Sequence, residues 1–493
     1  MGVPGLFASY YRKYGKHQDL FIQQQELSNL KISHLFFDYN SLIHPCAHKV
    51  IGMYSDESDI EYNEKIVESK IIDECLRYTK EIVDLINPNK VYIVIDGIAP
   101  KSKMKQQRER RYKSWFAKTV QERSLWDSNN ITPGTLFMKN LKNKLLDSTD
   151  YIISDSDEPG EGEHKIMKIL TNLKESSSKN VCIYGLDADL ILLSMLNKFS
   201  DKIILVRENI KSGGFDHVNI YTLLNLVKSQ EKVDIIDYVY MTFFLGNDFL
   251  PKLPMLDIYE HGIDILIKAY HKVKINNQKL VINTDSDNIG VNWKFLERIL
   301  QELCGYERYK VSKIQNDKKD SNFPVLRKAG DSLEEAKRKY YLYHGLLENF
   351  VDVSKDFLYG TVWVMNYYLG HRHQNWSWFF KFDQGPWITD LKKTVSLMMS
   401  KELSFKKDNP IDNLRQLCFV LPKDSLFKIV SKSDDLSKNL KFLNSFTKNK
   451  YLFPESIHLD LAEKRFDWQA SLHFGNTLNT FDDIYDITFL FCD

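Results

Sequence analysis

Seven carboxylates of this chain fall where an apolar, strand-like run ends or where a helical pattern begins: Asp38, Asp96, Glu161, Glu163, Asp187, Asp189 and Asp248. Two of them lie in "DEPGEGEHKIMKIL" (157–170), and the stretch Asp147–Glu163 holds seven acidic residues with no Lys or Arg, a formal charge of −7. Taken alone, an acidic run is a solvated loop before a helix, where the macrodipole favours it, and a single strand-end Asp is a turn former or cap. Taken together, these acids point to chemistry. Carboxylates gathered at one edge repel unless cations lie between them, and their pKa values rise until some become neutral. Oxygen donors with no His or Cys among them select Mg²⁺ or Mn²⁺ over zinc. Seven suffice for two ions, one activating a water and the other stabilising the leaving oxygen of an in-line phosphoryl displacement.

A basic counterpart follows Asp96 closely. Lys101 to Arg123 contains nine basic residues against Glu109 and Glu122, a net of +7, although the whole chain sums to +1. Lys103, Gln107, Arg110 and Arg111 are offset by 0, 4, 7 and 8, so on a helix they share one face. Such a stripe is either a solvated basic surface or a phosphate receptor, because guanidinium binds phosphate oxygens bidentately. The chain has no GxxxxGK[ST] and no strand-linked GxGxxG, so nucleotide-driven and dinucleotide chemistry lack a cradle.

The elements that must position these groups are legible in the first half. "HLFFDYN" (34–40), "VYIVIDG" (91–97), "DYIISDS" (150–156), "NVCIYGLD" (180–187) and "KIILVREN" (202–209) read as strands with helix-period segments between most of them. This is the pattern of an α/β fold with a parallel, doubly wound sheet. Asp38, Asp96 and Asp187 then emerge at the C-terminal edge, where open α/β sheets bind ligands. Asp248 in "FLGNDFLP" enters from a loop after a helix beginning near Asp234. The chain turns polar over 276–288 and again over 307–322, and the second stretch is the candidate linker, which divides the chain into 1–320 and a mostly helical 321–493. "SLEEAKRKYYLYHGLL" and "DFLYGTVWVMNYYLG" are helical, and "HQNWSWFFKFDQGPW" is an aromatic-rich loop.

With 493 residues and 43 % apolar composition the chain can bury a sizeable core. It has no apolar run of membrane-spanning length and no signal-peptide core. Leu6 removes the myristoylation context of Gly2. Six scattered cysteines without a CxxC argue against disulfides and zinc and read as buried thiols. The expectation is an intracellular, soluble protein, cytoplasmic rather than nuclear.

"MGVPGLF", "FFDYNSLIHPCAH", "IDGIAPKSKMKQQRERRY", "NNITPGT", "PGEGEHKIM", "IYGLDADLILL" and "GNDFLPKLP", in that order, resemble the first conserved region of the XRN family of 5′→3′ exoribonucleases. "KRKYYLYHG", "GTVWVMNYYLG", "NWSW" and "EKRFDWQA" resemble its second. The resemblance implies a PIN/flap-nuclease-like catalytic domain in 1–320 and a helical region in 321–493 that completes the active-site channel. It implies processive hydrolysis of single-stranded RNA from a 5′-monophosphate end to mononucleotides, with two Mg²⁺ ions for which Mn²⁺ can substitute. It assigns the seven acids to the metal site and catalysis, and Lys103, Gln107, Arg110 and Arg111 to the 5′-phosphate. His44 becomes a base-stacking residue whose aromatic partner is Trp376 or Trp378. RNA and mRNA decay downstream of a decapping activity follows, by a monomer without membrane association. The sequence ends soon after "EKRFDWQA", so a compact member is expected, of the kind carried by large DNA viruses and acting in the host cytoplasm.

Two other readings compete. A flap-endonuclease-like DNA nuclease has a similar carboxylate core, but "GNDFLPKLPMLDIYEHG" offers no GxGxG pattern after the last acid. A non-catalytic RNA-binding scaffold would be favoured by the loss of a metal acid, and none is lost.

Overall fold

The computed structural model describes residues 2–55, 63–120, 126–173, 180–209, 213–283, 289–316, 324–326, 332–370, 375–399, 403, 405–432, 452–454, 456–462, 464 and 470–475. Among them no helix is long and apolar enough to cross a membrane. Cys46, Cys75, Cys182, Cys304 and Cys418 are buried and form no disulfide.

The described chain separates into two compact units. One, here the sheet unit, comprises Gly15–Leu223, Asn409–Ile457 and Phe474–Asp493, and the other, the helical unit, comprises Met1–Tyr14, Leu224–Asp408 and His458–His473.

Six strands build the sheet: β1 (Ile32–Asp38), β2 (Lys90–Val94), β3 (Ile152–Ser154), β4 (Asn180–Tyr184), β5 (Ile203–Asn209) and β6 (Gly214–Asn219), in the order β3-β2-β1-β4-β5-β6. The first five are parallel, as the alternating pattern predicts. The sixth, antiparallel to β5, was not expected. Its sequence "GFDHVN" is polar and only partly buried, so it carries no apolar run. An antiparallel strand on the edge of a parallel sheet is a common ending.

The chain starts in mid-sheet at β1, winds outward through β2 and β3, then returns to β4 on the other side of β1. Strand order therefore reverses between β1 and β4, which makes their C-terminal ends the switch point of the sheet. Register aligns those ends: Asp38 lies opposite Val94, Val94 opposite Ser154, and Phe37 opposite Tyr184. Leu35 and Phe37 enter one core with Leu42, Ile43 and Cys46 of the Asn40–Ser55 helix and Ile71, Cys75 and Ile82 of the Glu64–Ile86 helix. Phe36 points to the other face and stacks on Tyr92 with ring centroids 4.6 Å apart. Both faces are covered, so the strands are apolar throughout rather than alternating.

The helical unit contains the Gly262–Val273, Trp293–Asn316, Leu333–Tyr343, Phe350–Tyr368 and Ile388–Met398 helices. Both predicted helical stretches appear here. Ser332 caps the Leu333–Tyr343 helix by accepting the N–H of Glu335 at 3.2 Å. The polar run 307–322 is not an open linker as far as Asn316: it continues the Trp293–Asn316 helix, and the rest lies outside the described residues. Glu307 is buried and accepts the N–H groups of Ile388 and Thr389 at 2.6 and 3.1 Å, capping the Ile388–Met398 helix. The compact units accordingly do not divide at residue 320, and 409–457 joins the sheet unit. Leu417, Phe419, Leu421 and Leu426 of that segment share a core with Ile98 and Met104.

Candidate active site

Six of the seven acids belong to the sheet unit and leave the switch-point edge. Asp38 ends β1, Asp96 lies two residues past β2 and Asp187 three past β4. Glu161 precedes the Gly162–Thr171 helix, Glu163 sits in its first turn, and Asp189 opens the Asp189–Leu196 helix. Carboxylate oxygens of Asp38, Asp96 and Glu163 all lie within 4.8 Å of one another. Glu161, Glu163 and a nitrogen of His164 form a second such group. Asp38 and Glu163 are only 3 % and 5 % exposed.

Burial raises the Asp38 carboxyl well above the usual range, and the charges of Asp96 and Asp187 add to the rise. Glu163 is pushed up by burial and then by Glu161. Asp96 is raised by burial too, but opposed by the N–H of Gly162 and by Lys103 and Lys165. Crowded, desolvated carboxylates of this kind are relieved by a cation held among them. Burial and Lys103 lower the His164 imidazole to about 3, so a neutral ring nitrogen also stands beside the acids, which sequence reading had treated as an all-oxygen set. The donors are chiefly hard oxygens and fit a divalent cation.

Local contacts fix these carboxylates. Ser41 donates its hydroxyl to Asp38 Oδ2 at 2.5 Å, and Gly162 donates its N–H to Asp96 Oδ1 at 2.6 Å. Asn40 Oδ1 accepts the N–H of Asp96 at 3.1 Å. Gly162 is required by close approach, because a Cβ there would lie 2.9 Å from Asp38 Oδ1 and 3.2 Å from Asp96 Oδ1. Lys165 donates to the carbonyls of Ile95 at 2.8 Å and Asp155 at 2.7 Å, tying the ends of β2 and β3 to the helix that carries Glu163. Arg207 of β5 donates to the carbonyls of Gly185, Leu186 and Asp187, which sets the loop bearing Asp187.

The basic run is helical over Lys101–Val120, as its spacing predicts, but its stripe divides. Lys103 turns to the acids and pairs with Glu161 at 2.5 Å. Gln107, Arg110 and Arg111 line a cavity of about 250 Å³ together with Asn40, His44, Asp96 and Asn129. Asp96 thus borders both the carboxylate cluster and the cavity. Arg111 donates to Thr132 Oγ1 at 2.9 Å, and burial together with Arg110 lowers its guanidinium to about 9. Gln107 Oε1 is buried without a hydrogen-bond partner among the described residues, and Arg110 is exposed. Burial, then Arg110 and Arg111, lower His44 to about 4, so its ring is neutral at physiological pH.

Three site candidates lie in the helical unit. Asp248 follows the helix capped by Asp234, as expected, in a turn where Asn247 Oδ1 accepts the N–H groups of Phe249 and Leu250. The Trp378 ring is packed against Trp363, centroids 4.7 Å apart, and over Gly360, whose Cβ would lie 2.8 Å from it. Trp376 has its backbone N–H bonded to Asp408 and its ring meets no other aromatic ring among the described residues.

Residues 1–209 match the family model of the XRN 5′-3′ exonuclease N-terminus, and residues 229–344 and 335–474 match that of the Xrn1 helical domain. The chain belongs to the XRN family. It is 26 % identical to 5′-3′ exoribonuclease 1 of Homo sapiens over 95 % of this chain and 33 % of that protein. Identity is 24 % to 5′-3′ exoribonuclease 1 of Saccharomyces cerevisiae over 95 % and 42 %, and 28 % to its 5′-3′ exoribonuclease 2 over 69 % and 42 %. The chain thus spans about a third to two fifths of the length of these XRN relatives. Among solved structures, the T5 D15 protein co-crystallised with metal ions aligns over 57 % of this chain and 93 % of that one, with TM-score 0.31 and 11 % identity.

Sequence reading of this XRN member missed the residues that hold the acids. Asn40 and Ser41 stand two and three residues after Asp38, which is the one signal that could have found them. Lys165 and Arg207 act on backbone carbonyls, which no side-chain pattern records.

Proposed function

We propose that this chain is a 5′→3′ exoribonuclease that hydrolyses single-stranded RNA bearing a 5′-monophosphate, processively and to mononucleotides. The observation that carries the reading is that Asp96 belongs at once to the buried carboxylate cluster and to the wall of the cavity lined by Gln107, Arg110 and Arg111. A terminal phosphate held there would be separated only by Asp96 from the acids that would hold the ions for hydrolysis of the next phosphodiester. Family membership and relatives named as 5′-3′ exoribonucleases support the same reading.

Asp38, Asp96, Glu161, Glu163, Asp187 and Asp189 would hold two Mg²⁺ ions, for which Mn²⁺ can substitute. Bound there, the ions supply an activated water and neutralise the leaving oxygen. The chain's own groups do the rest. Arg110 and Arg111 bind the terminal phosphate oxygens, and the amide of Gln107 adds a directed hydrogen bond. Lys103 holds Glu161 in place. The neutral ring of His44 offers a stacking face at the cavity, and of the two tryptophans Trp376 is the one we assign to base stacking, because its ring meets no other aromatic ring among the described residues whereas that of Trp378 is packed on Trp363. Stacking accepts any base, which suits an enzyme that reads no sequence. A receptor for one phosphate excludes caps and triphosphates, so the substrate must come from a decapping or pyrophosphohydrolytic reaction. We place the activity in RNA and mRNA decay, in the cytoplasm, by a monomer.

The test is purified protein with Mg²⁺ on RNAs that differ only at the 5′ end, beside matched single-stranded and flap DNA. Release of mononucleotides from the monophosphorylated RNA is expected. Preference for flap DNA would transfer the site to a DNA nuclease, and no cleavage in Mg²⁺ or Mn²⁺ would make the chain an RNA-binding scaffold.

A further inference from the structure

The cavity has a back wall that its lining residues do not supply. Met104, Arg108 and Tyr112, spaced by four on the Lys101–Val120 helix, form a stripe beside the cavity-facing Gln107 and Arg111. That stripe packs on the described residues of the Asn413–Val420 and Lys423–Ser431 helices and on Leu452 and Phe453. Arg108 is 1 % exposed and donates to the carbonyl of Phe419 at 2.5 Å and that of Leu452 at 2.8 Å. Its guanidinium lies 4.6 Å from the Tyr112 ring centroid and 5.9 Å from that of Phe419. Phe419 is in the last turn of the Asn413–Val420 helix, where carbonyls lack intrahelical partners and a cation is favoured. Tyr112 adds a hydroxyl bond to the carbonyl of Leu421 at 3.4 Å.

The opposite side of the cavity leads to the same place. Asn129 lines it and donates its amide to Ser425 Oγ, 3.0 Å away in the Lys423–Ser431 helix. The carbonyl of Asn129 accepts Thr132 Oγ1 at 2.7 Å, and Thr132 Oγ1 accepts Arg111. One chain of bonds therefore joins Ser425 to a cavity arginine. Gly134, at the end of this loop, approaches so near that a Cβ would lie 2.6 Å from Asn413 Cβ.

We infer that the Asn413–Val420 and Lys423–Ser431 helices are the positioning frame of the 5′-end pocket, acting through Arg108 on the basic helix and through Ser425 on Asn129 and Arg111. The inference rests on the reading of the cavity as a 5′-phosphate receptor. It makes Arg108 and Ser425 positioning residues that set the spacing of Gln107, Arg110 and Arg111 without touching RNA. An arginine is needed at 108 because its planar fork reaches two carbonyls at once, which a single ammonium on a lysine stem does not reproduce.

The experiment compares 5′-monophosphate with 5′-hydroxyl RNA for wild type, Arg108→Lys, Ser425→Ala and Lys428→Ala. Lys428 shares a helix with Ser425, and its truncation removes only a surface pair with Glu64 of the Glu64–Ile86 helix. Thermal melting and Mg²⁺-dependent cleavage of the hydroxyl RNA report folding and chemistry separately from end selection. In wild type the monophosphate is preferred. Arg108→Lys should lower that preference about tenfold, through KM on the monophosphorylated RNA with kcat retained, as expected for two charge-assisted bonds disturbed at one remove. Ser425→Ala should lower it severalfold and Lys428→Ala should leave it unchanged. If Arg108→Lys does not fold, Ser425→Ala carries the test alone. Undiminished preference in the folded Arg108 and Ser425 variants, with wild type still selective, overturns the inference and spares the pocket. A wild type without preference overturns the pocket reading itself, and the frame with it.

Discussion

Replacing Asp38 by Asn should stabilise the metal-free protein while it abolishes hydrolysis. In the folded chain the Asp38, Asp96 and Glu163 oxygens lie within 4.8 Å of one another, so each ionised pair repels by about 3.5 kcal/mol at an effective dielectric constant of about 20. Protonation relieves part of this, which is why Asp38 and Glu163 are raised. A raised carboxyl binds its proton in the folded state and releases it in the unfolded one. Stability is therefore full below the ordinary carboxylate pKa and is lost as pH rises toward the folded value. Asn keeps the shape and can still accept the Ser41 hydroxyl. A net gain of about 2–3 kcal/mol at pH 7.5 corresponds to roughly 4–6 °C in Tm, at about 2 °C per kcal/mol for a unit of this size. The assay is thermal unfolding in EDTA at pH 7.5 and pH 5, then with Mg²⁺ added. Wild type should gain on adding Mg²⁺ and on acidification, and Asp38→Asn should start higher and gain less from both. A variant less stable than wild type in EDTA at pH 7.5, or equally stabilised by Mg²⁺, would refute the crowded, ionisable cluster.

Arg110→Ala combined with Arg111→Ala should remove the preference for a 5′-monophosphate over a 5′-hydroxyl by a factor of about ten or more, read by competitive degradation of the two RNAs. His44→Ala and Trp376→Ala should each shorten processive runs, since a lost base stack costs about 1–3 kcal/mol, whereas Trp378→Ala should act mainly by lowering Tm through a cavity beside Trp363 and Gly360. Product ladders from a short, single-hit digest separate these outcomes, and a processivity defect confined to Trp378→Ala would reverse the assignment. Gly162→Ala should fold but lose about a hundredfold in rate, because the new methyl meets Asp38 and Asp96 oxygens and spreads the acids. Near-wild-type turnover would mean that this spacing is not critical.

What the sequence exposed and what it hid divide along physical lines. Asp38, Asp96 and Asp187 were legible because each ends an apolar run, and the topology of a parallel sheet brings such ends together. Gln107, Arg110 and Arg111 were legible because helical spacing alone puts them on one face. Lys103 shares that face, yet its pairing with Glu161 depends on a strand return that spacing cannot express. The polar run at 307–316 looked solvated because Glu307 and Lys310 carry charge, but both are buried, one capping a helix and the other bonded to Glu260. The attachment of 409–457 to the sheet unit was hidden for a similar reason. Its anchors are backbone carbonyls that receive Arg108 across more than three hundred residues of sequence. Nor does one short motif with two tryptophans reveal that the Trp378 ring packs on the Phe350–Tyr368 helix.

The central claim is end-directed hydrolysis of RNA, and a doubly labelled substrate tests it most directly. Single-stranded RNA with a radiolabelled 5′-monophosphate and a 3′ fluorophore is mixed with the protein and Mg²⁺, and both labels are followed in time. The account predicts that the 5′ label appears at once as mononucleotide while the 3′ label stays on long RNA until the end, with neither change in EDTA. Early release of the 3′ label, or internal fragments that carry it, would contradict 5′→3′ exonucleolytic action.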